Sequence, residues 1–259
     1  MPAVLGALLV LLPLVGLLWR APWDALPRLL REASVREALW LSIRTATVAT
    51  VLSALLGVPL AWLLARVEFP GRALARALVT LPMVLPPVVG GVALLLAAGR
   101  RGVVGHYAYD AFGVSLPFTT TAVVVAQTFV AMPFLVVAVE GALLGVDRRY
   151  EDAAATLGAS SWYTFRRVTL PAVAPSIGAG AVLCWARALG EFGATITFAG
   201  SLPGTTRTMP LAVYSAMETD SDAAIALSLV LLVTSVVVLA ALRGRWLPSA
   251  RDAVARAAQ

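Results

Sequence analysis

The side chains able to make or break bonds are few and scattered. The chain holds a single histidine, His106, and a single cysteine, Cys184. A metal centre needs several His, Cys or carboxylate ligands converging on one point. Nucleophilic catalysis needs a nucleophile within reach of a base. Neither residue has such partners, so a small buried Cys and a loop His are the plain readings. No catalytic residue and no metal ligand is assigned, and an intramembrane enzyme lacks its constellation. A lone Cys forms no internal disulfide, so it does not report the redox compartment. All 20 basic residues are Arg. A P-loop, G-x-x-x-x-G-K-[ST], places its Lys on the β- and γ-phosphates. Without any Lys, this chain cannot supply that site.

The elements that position these residues follow from composition. Hydrophobic residues make up 60% of the 259 and charged residues only 13%. A soluble domain of this length needs far more charge to cover its surface, which places the chain in the membrane class. The net charge of +6 reads as Arg retained in loops flanking spans, not as a nucleic-acid surface. A helical span needs about 20 apolar residues. Six candidates follow: Ala3–Trp19, Ala38–Ala65, Leu74–Ala98, Thr120–Val146, Ala172–Phe192 and Ala223–Leu242. The first is short, but it lacks the basic region that precedes a secretory signal core, so it reads as a retained span. The expected fold class is an all-α membrane protein, one transmembrane domain over residues 1–259.

An even number of spans puts both termini on one side. With the termini inside, the inner segments hold Arg66, Arg72, Arg76, Arg148, Arg149, Arg166, Arg167, Arg243, Arg245, Arg251 and Arg256. The outer ones hold Arg20, Arg28, Arg31, Arg36, Arg100, Arg101 and Arg207. This modest excess has the sign expected for a cytoplasmic inside. The loop at 147–167 is cytoplasmic whether or not the first span is retained.

That loop has the chemistry of short helices. Asp147, Glu151 and Asp152 suit a helix N-terminus and Arg166 and Arg167 a C-terminus, with Gly158 interrupting between. On pattern alone an interfacial helix lying on the membrane is the competing reading. The spacing is more specific. Asp152-Ala153-Ala154, then Gly158, then Val168-Thr169-Leu170-Pro171 resembles the E-A-A-x3-G-x9-I-x-L-P motif of ABC importer permeases. Every gap agrees; Asp and Val stand for Glu and Ile, and Glu151 sits one residue early.

The resemblance implies a type I ABC importer permease fold. It implies a cytoplasmic coupling segment over 147–171 that docks on a separate ATPase through Glu151, Asp152, Ala153, Ala154, Gly158, Ala159, Trp162 and Pro171. It also implies a homodimer, since one chain carries one coupling segment and the family engages two ATPases. An extracytoplasmic binding protein and the inner-membrane bilayer complete the expected partners, with no nucleic acid. ATP and magnesium belong to the ATPase, leaving no cofactor on this chain.

Further stretches, Gly57-Val-Pro-Leu-Ala-Trp62, Leu81–Gly91, Ala186–Thr197 and Thr206–Leu211, resemble the molybdate and tungstate permease branch over about residues 38–217. Residues 1–37 then form the first span and outer loop, and 243–259 a short cytoplasmic tail with no feedback domain. Sulfate or thiosulfate is the alternative cargo. An ion-coupled secondary transporter is the alternative of another class, although no internal repeat or mid-membrane His relay supports it.

A permeating dianion needs hydroxyls, N–H groups or Arg along its route. Ser42, Thr45, Thr50, Ser53 and Gly57 fall within an arc of about 140° on one helix. The stripe fits either a pathway surface or small residues packing helix on helix, the commoner use. Pro86, Pro87, Gly90 and Gly91 break helix regularity and are expected to line the route, with a packing kink as the competing reading. Arg187 and Glu191, at i and i+4, are expected to pair. Arg187 lies about 22 Å along the span, where a structural or outer-gate role for the pair is favoured over anion binding; Thr195 joins Glu191 among the gate candidates. Glu140 is a further intramembrane acid with no assigned role.

Overall fold

A computed structural model describes residues 1–246. Among them the regular structure is entirely helical. In chain order the helices are α1 (Pro2–Trp19), α2 (Leu26–Leu29), α3 (Ala33–Arg66), α4 (Arg72–Val84), α5 (Pro87–Ala98), α6 (Gly105–Phe112), α7 (Thr120–Gly145), α8 (Arg149–Thr156) and α9 (Ser161–Thr164). A π-helical turn, Phe165–Thr169, leads into α10 (Leu170–Leu189), followed by α11 (Gly193–Phe198), α12 (Met209–Met217) and α13 (Ser221–Trp246). Five helical runs are long and apolar enough to cross a bilayer, and six if the bent pair α4–α5 counts as one span. Most of the expected tail, 243–259, lies outside the described residues, which end at Trp246.

Two expected spans differ from the structure. Leu74–Ala98 is not one straight helix: α4 and α5 meet at 118°. Consecutive prolines explain the break. Proline disfavours the helical conformation in the residue before it and has no N–H to donate, and both Leu85 and Pro86 are extended at ψ 131°. Pro87 then starts α5, where a missing N–H costs nothing. The expected span Ala172–Phe192 begins earlier, because the π-turn fuses it to α9, and it ends at Leu189, leaving Glu191 and Phe192 beyond the helix.

The centre of the bundle is α3, α7 and α10, whose shared core includes Ala46, Ala49, Leu64, Leu135, Val139, Cys184 and Ala188. Alanine dominates because lipid tails are as apolar as leucine, so close backbone approach rather than hydrophobicity drives association. Cys184 is fully buried there. A second cluster joins α7 to α11 through Ala122, Val123, Ala126, Val130, Ala194 and Phe198. A third joins α3, α12 and α13 through Val35, Ala38, Met209 and Leu227. By contrast α1 buries none of its residues.

Segments distant in sequence meet at the α5–α11 contact. A Cβ on Gly91 would collide with Thr197 Oγ1 and come within 2.8 Å of the Ala194 carbonyl oxygen; one on Gly193 would lie 2.8 Å from Pro87 Cβ. Glycine at both positions lets the two backbones touch. The stretches Leu81–Gly91 and Ala186–Thr197 are therefore two halves of one packing unit.

Candidate functional site

The segment 147–169 folds as two short helices at the end of the bundle formed by the C-termini of α3 and α7. Local hydrogen bonds shape it. The Asp147 carboxylate accepts from the Arg149 N–H at 3.0 Å, and the Ser160 hydroxyl accepts from the Tyr163 N–H at 3.3 Å, capping α9. Between α8 and α9, Gly158 turns at φ +82°, a left-handed conformation that glycine adopts without steric cost. This accounts for glycine at the motif's second anchor.

The two helices enclose an open concavity of about 520 Å³ lined by Ala154, Leu157, Gly158, Ala159, Ser160 and Tyr163. No residue of α8 is buried. Leu157 is 88% exposed at the rim. Asp152 is exposed and makes no ion pair among the described residues. The concavity is thus lined largely by small residues with the apolar Leu157 among them, suited to receiving a complementary protein surface, and Asp152 is not part of its lining.

Glu151 is placed differently from Asp152. Its Oε1 accepts from Arg66 at 3.0 Å and from the Thr169 hydroxyl at 2.8 Å. The Arg66 side chain is only 7% exposed, and it also donates to the Val146 carbonyl at 3.4 Å. One turn earlier on α3, Trp62 meets Phe165 edge-on with ring centroids 6.5 Å apart, and Phe165 stacks on Trp162 at 5.8 Å. Trp162, expected to touch a partner, spends one ring face on Phe165 and remains largely exposed.

Further arginines cap the end of α3. Arg72 donates to the carbonyls of Leu64 at 2.6 Å and Ala65 at 3.2 Å, and Arg148 reaches the latter at 3.5 Å. Cations here satisfy orphan carbonyls and oppose the negative end of the helix dipole. Arg76 donates to Glu140 through Nε at 2.7 Å, giving that acid the partner that hydropathy alone did not suggest.

The residues expected on a transport route divide. Pro86 and Pro87 are exposed at the α4–α5 bend, whereas Gly90 and Gly91 are buried in packing. Ser42, Thr45 and Ser53 are buried inside the chain, which fits the packing reading of that stripe. The Ser42 hydroxyl accepts from the Met209 N–H at 2.7 Å, tying α3 to α12, while Thr45 and Thr50 each donate to their own helix at 2.8 Å. Thr50 alone of these borders open space, an apolar groove of about 450 Å³ between α3 and α10. Arg187 and Glu191 pair as expected, at 2.7 Å. The second Glu191 oxygen accepts from the Ala194 N–H at 2.7 Å, so this buried acid anchors the turn into α11. Thr195 is fully buried and its hydroxyl has no hydrogen-bond partner among the described residues.

Arg66, Arg76 and Thr169 are the positions that sequence reasoning passed over. Their partners lie 85, 64 and 18 residues away. The available signal was Trp62 and Arg66 at i and i+4, which places both on one face of the last turn of α3.

Comparison with known proteins agrees with this architecture. Residues 57–247 match the family model described as "Binding-protein-dependent transport system inner membrane component". A molybdenum transport system permease protein of Mycobacterium tuberculosis is 50% identical over 241 residues, covering 92% of this chain and 90% of that one. Its Escherichia coli counterpart is 43% identical over 211 residues, 82% of this chain and 92% of that one. A sulfate transport system permease protein of Escherichia coli is 35% identical over 236 residues, 90% and 85% of the two chains. Among solved structures, a bacterial ABC transporter involved in alginate import aligns with a TM-score of 0.76 at 17% identity, covering 94% of this chain and 92% of that one. That likeness concerns the fold: a type I ABC importer permease. With the family model spanning most of the chain and such relatives along nearly all of it, the protein belongs to the inner membrane components of binding-protein-dependent transport systems.

Proposed function

We propose that this chain is the membrane-spanning half of an ATP-driven importer whose cargo is molybdate, with tungstate as the congener it also accepts. The observation that carries the reading is the 147–171 segment. Its spacing matches the coupling motif, its two short helices present a concavity lined largely by small residues, and Asp152 on the first of them is exposed. Relatives named for molybdenum transport are more similar to this chain than one named for sulfate, at 50% and 43% identity against 35%. In this reading two copies enclose one pathway. Each docks a cytoplasmic ATPase that holds the ATP and magnesium, and an extracytoplasmic binding protein delivers the oxyanion. Both termini and the coupling segment face the cytoplasm, and no covalent chemistry takes place on this subunit.

The test is uptake by proteoliposomes holding the permease, its ATPase and its binding protein, with molybdate, tungstate and sulfate in competition. Molybdate uptake that stops when the ATPase is omitted supports the reading. Sulfate winning the competition replaces the cargo, and uptake that survives loss of the ATPase overturns the importer itself.

A further inference from the structure

The two acids at the start of α8 point to different tasks. Asp152 is exposed, whereas Glu151 is drawn into the chain, and its Oε1 alone bridges Arg66 on α3 and Thr169 on the π-turn. That oxygen therefore joins three elements: the last residue of α3, the first turn of α8 and the last residue of the π-turn that feeds α10. The Trp62–Phe165 contact runs parallel to it, from the same face of α3 to the first residue of the same π-turn. Two ties of unlike chemistry, one ionic and one aromatic, thus connect the same two spans at the point where the coupling segment enters.

A π-turn is a local departure from α-helix that favours a functional bend over maximal stability. Here its last residue, Thr169, is 1% exposed and commits its hydroxyl to Glu151. The Arg66 guanidinium is almost wholly buried, and its Nε has no hydrogen-bond partner. Glu151 supplies the only carboxylate paired with Arg66 among the described residues. A carboxylate that simultaneously satisfies a buried cation and a buried hydroxyl cannot move without taking both along or leaving both desolvated and unpaired. Any displacement of α8 is therefore imposed on α3 and α10 together.

We infer that Glu151, Arg66 and Thr169 form an internal relay that transmits displacement of the coupling segment to spans α3 and α10, with Asp152 left to meet the partner. Glu151 is thus a positioning residue acting between elements of its own chain and not a contact to the ATPase. The inference rests on the coupling reading above and assigns the two adjacent acids opposite roles within it. Rigid contact of Glu151 with the ATPase is the rival assignment.

The test uses the whole reconstituted complex and reads two quantities: ATPase retained on the permease during purification, and molybdate transported per ATP hydrolysed. Glu151→Gln and Thr169→Val are expected to retain the ATPase but lower the transport-to-hydrolysis ratio about fivefold, the lower range of coupling between distant sites. The double variant is expected to be no worse than either single, because both cut the same link. Asp152→Asn is expected to lose ATPase retention instead. Thr169→Val guards against a folding failure of the acidic variant, since it conserves shape and removes only the hydroxyl. Glu151→Gln shedding the ATPase as Asp152→Asn does, or Thr169→Val leaving the ratio unchanged, overturns the relay. Absence of molybdate transport by the unmodified complex would instead sink the cargo reading; the relay is then read with the solute that is transported.

Discussion

At the scale of single residues, Glu140 and Glu151 owe their positions to arginines 64 and 85 residues away in sequence. Glu140 is the clearest case, its side chain 8% exposed and paired with an Arg76 that is 42% exposed. Removing the cation leaves a carboxylate in apolar surroundings with no compensating charge. Arg76→Ala is expected to destabilise by about 2 kcal/mol, below the ~3–5 kcal/mol of a fully buried pair because Arg76 keeps solvent contact. Adding Glu140→Gln should return part of that loss, since no buried charge then remains. Thermal unfolding midpoints of the two variants in one detergent check both statements; equal midpoints for the single and double variants would contradict the second. Asp152, Gly158 and Pro171 stand out in the sequence by their spacing, and of these Gly158 has a physical reason for its residue type in its left-handed turn. Arg66 and Thr169 do not stand out. An arginine ending an apolar helix looks like any flanking charge until the chain folds back upon it, and hydropathy has no means of naming a partner 85 residues away.

Elements tell a similar story with different physics. Long apolar runs announced α1, α3, α7 and α13 to within a few residues, because a bilayer demands length and apolarity together. The same runs concealed the α4–α5 bend. Hydropathy averages across Pro86 and Pro87, while the backbone responds to each proline locally. Which helix accepts the bent pair was equally hidden, since it depends on glycines facing each other across two segments. That contact yields a prediction of its own. Gly91→Val places methyl groups where Thr197 Oγ1 and the Ala194 carbonyl already sit, so α5 must back away from α11. A loss of about 1–3 kcal/mol is expected, the usual cost of overpacking. Gly6→Val, on the exposed α1 with open space around it, serves as the comparison and should change stability by less than about 0.5 kcal/mol. Unfolding midpoints that move equally would show that the α5–α11 approach is not tight.

For the molecule as a whole, composition pointed to the class, and the family match over residues 57–247 shows the family, yet neither showed which spans form the centre. Apolar residues cover α7 on every side, so no amphipathic stripe distinguishes its buried face from its lipid face. Small residues decide instead, and their pattern becomes readable only once α3 and α10 are seen against it. Cys184 sits at that junction, fully buried, and it is the one thiol in the chain. The protein therefore carries its own unfolding reporter. A maleimide dye that fluoresces on reacting with sulfur should stay dark on the folded bundle and brighten only as α3, α7 and α10 separate. Its transition should coincide with loss of helical signal, and labelling that runs well ahead of that loss would mean the centre opens before the helices melt. Because native sulfur is silent, any cysteine introduced on α8 or at the α4–α5 bend can be tagged by itself, without first stripping the background from the chain.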